Sequence, residues 1–209
     1  MLSNITINEH SSIRIDGNHI IYFDPYRITN ETHDADIIFI THAHYDHFSP
    51  EDIAKLQKET TLFVMPQSMK GEEERLLKSK SRVLWLSPNE ITSVMGYPVQ
   101  AVPSYNTNKP MHPKENGWLG YVVNMNGTTV YVAGDTDVTE EARAVLCDIA
   151  LLPIGGTYTM NASEAAELVN GLKPKAVIPT HYGTLVGKPE DADDFEPLVN
   201  KEIQVCRKL

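Results

Sequence analysis

The chain has 209 residues, 41% of them hydrophobic, and a formal net charge of −10 from 18 basic and 28 acidic side chains. These values fit one globular domain with room for a sizeable core, and the acidic balance argues against a surface that tracks nucleic-acid phosphates. No stretch approaches the roughly 18 apolar residues of a membrane span, and the first twenty residues lack the apolar centre of a signal peptide, so a cytoplasmic protein is expected. Cys147 and Cys206 lie far apart without metal-type spacing, as two thiols of a reducing compartment would.

In chain order, Ile5, Ile7, Ile13 and Ile15 occupy alternate positions in two short runs, which predicts half-buried strands. Asp16-Gly17-Asn18 reads as a hairpin turn into a strand at 19–23, which ends at Asp24-Pro25-Tyr26. The apolar residues 37–40 form a buried strand, and Thr41-His42-Ala43-His44-Tyr45-Asp46-His47 follows it directly. Ser49 as N-cap and Pro50 at the first helical position start a helix that carries Ile53 and Leu56 and ends before Thr60. Residues 61–65 read as a strand, 70–80 as a charged helix, and 84–86, 91–95 and 99–102 as further strands. Residues 103–117, with three prolines, three asparagines and no apolar period, form a long loop of the kind that is often functional in compact domains. Strands follow at 119–125 and 129–133 around the turn Asn126-Gly127, then at 149–152, 176–178 and 203–206. A helix at 161–170 has Asn161 and Glu164 at capping-box spacing. Strands in runs, separated by helices, predict an α+β chain of two packed sheets with helices outside them.

The run 42–47 sets three imidazoles and a carboxylate at the end of a buried strand. Turn chemistry asks for Asn, Asp, Gly or Ser rather than three histidines; clustered nitrogen and oxygen donors are metal-ligand chemistry. A pair of cations, at about four or five donors each, needs more than one run supplies. Two later strand ends offer donors. One closes in Gly134 then Asp135, the glycine allowing the bend that turns a carboxylate inward. The other closes in His181. His10, His19 and His33 have no neighbours at ligand spacing and read as structural or exposed.

With these three segments the chain resembles the metallo-β-lactamase superfamily: HxHxDH at 42–47, Gly134-Asp135-Thr136, and Thr180-His181-Tyr182-Gly183. Asp24-Pro25 and Leu152-Pro153-Ile154-Gly155-Gly156 are similar to the branch of small metal-dependent hydrolases that includes ascorbate-6-phosphate lactonase. The resemblance covers nearly the whole chain. It implies a four-layer αβ/βα sandwich as a single domain over 1–209, with metals at one edge. It also implies that His42 and His44 bind a first metal, that Asp46, His47 and His181 bind a second, and that Asp135 bridges them. Two divalent ions are implied, zinc foremost, with manganese and iron as alternatives. The family's usual midway histidine is missing from Ala101-Val102-Pro103-Ser104-Tyr105-Asn106; the nearest is His112. Either the long loop folds His112 back as a ligand of the first metal, the preferred alternative, or that site is incomplete.

The expected chemistry is hydrolysis of a small-molecule ester, lactone or phosphoester by a metal-bridging hydroxide, with Asp46 both ligating and orienting it. Asp24, Tyr105, Asn106, Lys109 and Tyr182 are candidates for supporting contacts. Asp24 either accepts a proton from a ligating imidazole or caps the turn before Pro25. Lys109 and Lys114 either meet a substrate anion or lie solvated on the loop. A small-molecule substrate is expected, with neither nucleic acid nor membrane as partner. Two alternatives stand beside this: a non-catalytic metal sensor, suggested by the missing midway histidine, and a nuclease, which the acidic balance weighs against.

Overall fold

The computed structural model describes residues 1–76 and 82–209. The chain divides into two compact units, Met1–Ser87 and Pro88–Leu209. Each is built on one mixed sheet, which agrees with the expected α+β class.

In the first unit the strands lie side by side in sequence order. β1 (Ile5–Glu9), β2 (Ser12–Ile15) and β3 (Ile21–Phe23) run antiparallel. From β3 onward, β4 (Ala35–Phe39), β5 (Gln57–Pro66) and β6 (Arg82–Leu86) run parallel. The crossover from β4 to β5 contains the histidine run and then α1 (Pro50–Leu56). Parallel neighbours require such a crossover, and β4 is accordingly buried along most of its length. α1 starts as its sequence predicts: Ser49 accepts a hydrogen bond from the Asp52 amide, and Pro50 stands in the first turn. Ile53 and Leu56 join Ile38, Ile40, Phe48, Phe63 and Met65 in a buried cluster. The charged helix expected at 70–80 does not extend through its described part. Short 3-10 turns at Gln67–Met69 and Glu72–Arg75 flank Gly71, whose φ of 102° breaks a continuous helix. Residues 77–80 of that prediction lie outside the described residues.

The second unit begins antiparallel, with β7 (Ile91–Val94), β8 (Tyr97–Pro103), β9 (Leu119–Met125) and β10 (Thr128–Val132). It continues parallel through β11 (Ile149–Pro153), β12 (Ala176–Thr180) and the short β13 (Gln204–Val205). Besides α2 (Glu140–Arg143), it carries α3 (Ala162–Leu172) and α4 (Asp191–Phe195). Both halves of the capping box close on α3: Asn161 accepts from the Glu164 amide, and Glu164 accepts from the Asn161 amide. Ala165, Ala166, Leu168 and Val169 then pack with Tyr131, Ala150, Leu152 and Val177. The two shorter helices span too few residues for an apolar period to show in the sequence.

In each sheet the chemistry-bearing residues follow the carboxyl ends of strands that have a parallel neighbour. Asp24 follows β3 and the histidine run follows β4; Asp135 follows β10 and His181 follows β12. Open sheets place ligands at such ends because several strands point their exits the same way.

Candidate metal centre

In the first unit the site is assembled by one buried carboxylate. Phe23 and Phe39 pair across β3 and β4, and the Asp24 amide donates to the Phe39 carbonyl at 3.0 Å, so Asp24 and Thr41 leave adjacent strands together. Asp24 Oδ1 accepts from the Thr41 amide at 2.8 Å, and Oδ2 accepts from the Thr41 hydroxyl at 2.6 Å. His47 Nδ1 donates to the same Oδ2 at 2.7 Å. With the Thr41 hydroxyl hydrogen committed to Asp24, its oxygen accepts from His42 Nδ1 at 2.9 Å. One carboxylate thereby fixes the tautomers of two histidines, and Nε2 carries the lone pair on each. Burial pushes the Asp24 carboxyl above the ordinary range, against the opposing pull of His47 and Thr41.

The amides of His47 and Phe48 both donate to the His44 carbonyl, at 3.0 and 2.8 Å, and this tight turn brings the end of the run back beside its start. His42 Nε2 lies 3.1 Å from His44 Nδ1. His47 Nε2 lies 3.5 Å from Asp46 Oδ2. Tyr45, between them in sequence, is 66% exposed and is the outward-facing residue of the run.

In the second unit, Gly134 adopts φ 65° and turns the chain out of β10, as its sequence position suggests. Asp135 is buried, and its Oδ2 lies 3.2 Å from His112 Nε2 and 3.1 Å from His181 Nε2. Asn106 prepares the loop for this contact. It accepts from the His112 amide at 3.1 Å and from His112 Nδ1 at 2.9 Å, while its own amide group donates to the Tyr158 carbonyl. The long loop therefore does fold His112 back, and the side chain is buried beside Asp135. His181 occupies a left-handed backbone position, φ 56°, that a β-strand cannot contain.

The donor sets have the chemistry and spacing of metal ligands. Donors about 2.0–2.1 Å from one tetrahedral cation lie roughly 3.3 Å from one another. The separations of 3.1 and 3.2 Å around Asp135 are close to this value. Imidazole and carboxylate together suit zinc, manganese and iron alike.

Other sequence candidates sit elsewhere. Lys109 is not solvated on the loop: its ammonium donates to buried Asp137 at 2.5 Å and pins the loop. Tyr105 donates to Glu141 at 2.8 Å, and Lys114 donates to the same carboxylate group. Tyr182 packs into the apolar cluster of its unit. His33 is exposed and bonded to Glu31, in line with its sequence reading. His10 reads from the sequence as structural or exposed. It is fully buried, and its Nε2 lies 3.5 Å from Asp46 Oδ2. Its only sequence signal is an imidazole in a hairpin turn, where small polar residues are usual.

Two mixed sheets that present imidazoles and carboxylates at their strand ends define a metal-dependent hydrolase of the metallo-β-lactamase class. The family described as the beta-lactamase superfamily domain matches residues 4–181, and the chain belongs to it. It is 32% identical to a UPF0173 metal-dependent hydrolase of Thermococcus onnurineus, over 94% of this chain and 92% of that protein. Among solved structures, it is similar to a candidate metal-dependent hydrolase from Parabacteroides distasonis. The TM-score there is 0.79 at 30% identity, covering 98% of this chain and 92% of that one. A candidate zinc-dependent hydrolase of the metallo-β-lactamase superfamily from Thermotoga maritima gives a TM-score of 0.64 at 22% identity, covering 97% of each chain. These likenesses bear out the fold class expected from the sequence.

Proposed function

We propose that the protein hydrolyses a small-molecule ester, lactone or phosphoester with water as nucleophile, using two divalent cations, zinc foremost. His42, His44 and His112 would hold the first, and Asp46, His47 and His181 the second, with Asp135 shared by both. The observation that carries this is the Asp135 carboxylate oxygen flanked by two imidazole nitrogens at cation-sharing distance. The assignment of ligands to metals follows the resemblance read from the sequence. Bound there, the pair would lower the pKa of a shared water toward neutrality and polarise the carbonyl or phosphoryl oxygen under attack.

The chain's own residues support water as the attacker. Burial pushes the Cys147 thiol up to about 12, so it is no thiolate at neutral pH. Asp46 would orient the water and accept its proton, while Asp24 and Asn106 hold His47 and His112 in their ligating tautomers. The net charge of −10 disfavours a nucleic-acid substrate and weighs against membrane association through anionic lipids. No helix among the described residues is long and apolar enough to cross a membrane. Cys147 and Cys206 are both free thiols, which supports a cytoplasmic setting.

The test is elemental analysis of the purified protein, together with rates on bis(p-nitrophenyl) phosphate, p-nitrophenyl phosphate and a set of γ- and δ-lactones. Two equivalents of metal and turnover on at least one probe class are expected. His42→Ala is expected to lose metal and at least 100-fold in rate. A metal-free His42→Ala with full activity would sink the proposal.

A further inference from the structure

His10 occupies the first position of the two-residue turn between β1 and β2, where Glu9 pairs with Ser12. Its backbone is left-handed, φ 55°. That conformation is unfavourable for an L-residue with a Cβ, and hairpin turns meet it with glycine, asparagine or aspartate. Here the turn carries an imidazole instead and buries it completely. A residue that is both conformationally unfavourable and buried at a turn is held for what its side chain does.

What the side chain does is set by distance. His10 Nε2 and His47 Nε2 both lie 3.5 Å from the same oxygen, Asp46 Oδ2. An N–H···O hydrogen bond to a carboxylate would close to about 2.7–2.9 Å. Separations of 3.5 Å are too long for that, and they approach the roughly 3.3 Å between donors that share one cation. The rings of His10 and His47 stand 6.4 Å apart, edge to face.

We propose that His10 is a further ligand of the metal that Asp46 and His47 hold, so that the β1–β2 turn is part of the metal centre. The inference rests on the functional reading above. Its logic gives the turn and the metal opposite demands on position 10: the backbone favours asparagine, the cation favours imidazole.

His10→Asn separates them. Asparagine tolerates the left-handed conformation, so the metal-free variant is expected to melt at or above the wild-type temperature. Competition with a chromophoric chelator is expected to show zinc bound at least tenfold more weakly at one of two sites. The cobalt(II)-loaded variant is expected to show a changed d–d absorption spectrum. A variant that folds as wild type and keeps both zinc affinities and the cobalt spectrum would overturn the ligand role while leaving the hydrolase reading intact. A His10→Asn chain that melts lower without metal, with unchanged zinc affinity, also overturns it, because His10 would then be structural. Wild-type protein that binds no divalent metal overturns both.

Discussion

Asp24 concentrates the design of the first unit in one carboxylate. It accepts from the Thr41 amide, the Thr41 hydroxyl and His47 Nδ1, and through Thr41 it also sets the orientation of His42. Burying that group raises its pKa, so the arrangement is costly for the metal-free chain and is offset by the partners it orients. Asp24→Asn keeps the size and suits the left-handed backbone at this position, φ 45°, but loses the charge that fixes the His47 tautomer. Metal affinity is expected to fall about 10–100-fold, the usual effect of removing a partner behind a ligating histidine. Isothermal titration of the metal-free protein with zinc measures it, and an affinity equal to wild type would show that Asp24 merely caps its turn. The run 42–47 stands out in the sequence because three histidines are unusual residues for the turn it forms. Asp24 was half legible, since a carboxylate before proline fits either role. His10 was not, because its contact with Asp46 joins residues 36 positions apart through the pairing of β1 and β2, which spacing along the chain does not encode.

Strands were more readable than helices here, for a physical reason. β4, β11 and β12 are parallel strands that are buried along nearly all their length, so they appear as short, largely apolar runs. The runs of β4 and β12 give way to Thr41 and His181, where the segments carrying the proposed donors begin. The helix expected at 70–80 failed over its described part because Gly71 outweighs the favourable propensity of the glutamates beside it. Register between strand exits depends on small residues that no periodicity reveals. Gly155, just past β11, is one: a Cβ there would lie 2.3 Å from the His181 carbonyl oxygen. Since β11 and β12 pair through Pro153 and Thr180, their exits would have to part to admit it. Gly155→Ala is therefore expected to destabilise the metal-free protein by about 1–3 kcal/mol, typical of overpacking, and to weaken metal binding by displacing His181 from Asp135. Thermal melts with and without zinc read both effects. An unchanged melting temperature and zinc affinity would mean that the exits separate freely and that Gly155 has no part in placing His181.

Across the whole molecule, the proposed donors are divided between the two compact units. His42, His44, Asp46 and His47 belong to Met1–Ser87, and His112, Asp135 and His181 to Pro88–Leu209. This division turns the functional proposal into a statement about stability. A ligand that binds the folded chain alone stabilises it by RT ln(1 + [L]/Kd), about 2.7 kcal/mol at a hundredfold excess over Kd. For a chain of this size, 1 kcal/mol moves the melting temperature by about 2–4 °C, so one saturating cation is expected to raise it by about 5–10 °C. If donors from both units hold the same cations, that stabilisation must be felt in both. Hydrogen exchange resolves the units separately: adding zinc to the chelator-treated protein is expected to slow exchange in peptides covering 36–48 and equally in peptides covering 130–136 and 176–182. Protection confined to one unit would show that its donor set binds metal alone and would refute the shared pair of cations. Equal protection in both, lost together in His42→Ala, would require that occupancy of the first metal supports the second unit as well, a coupling that two independent half-sites cannot produce.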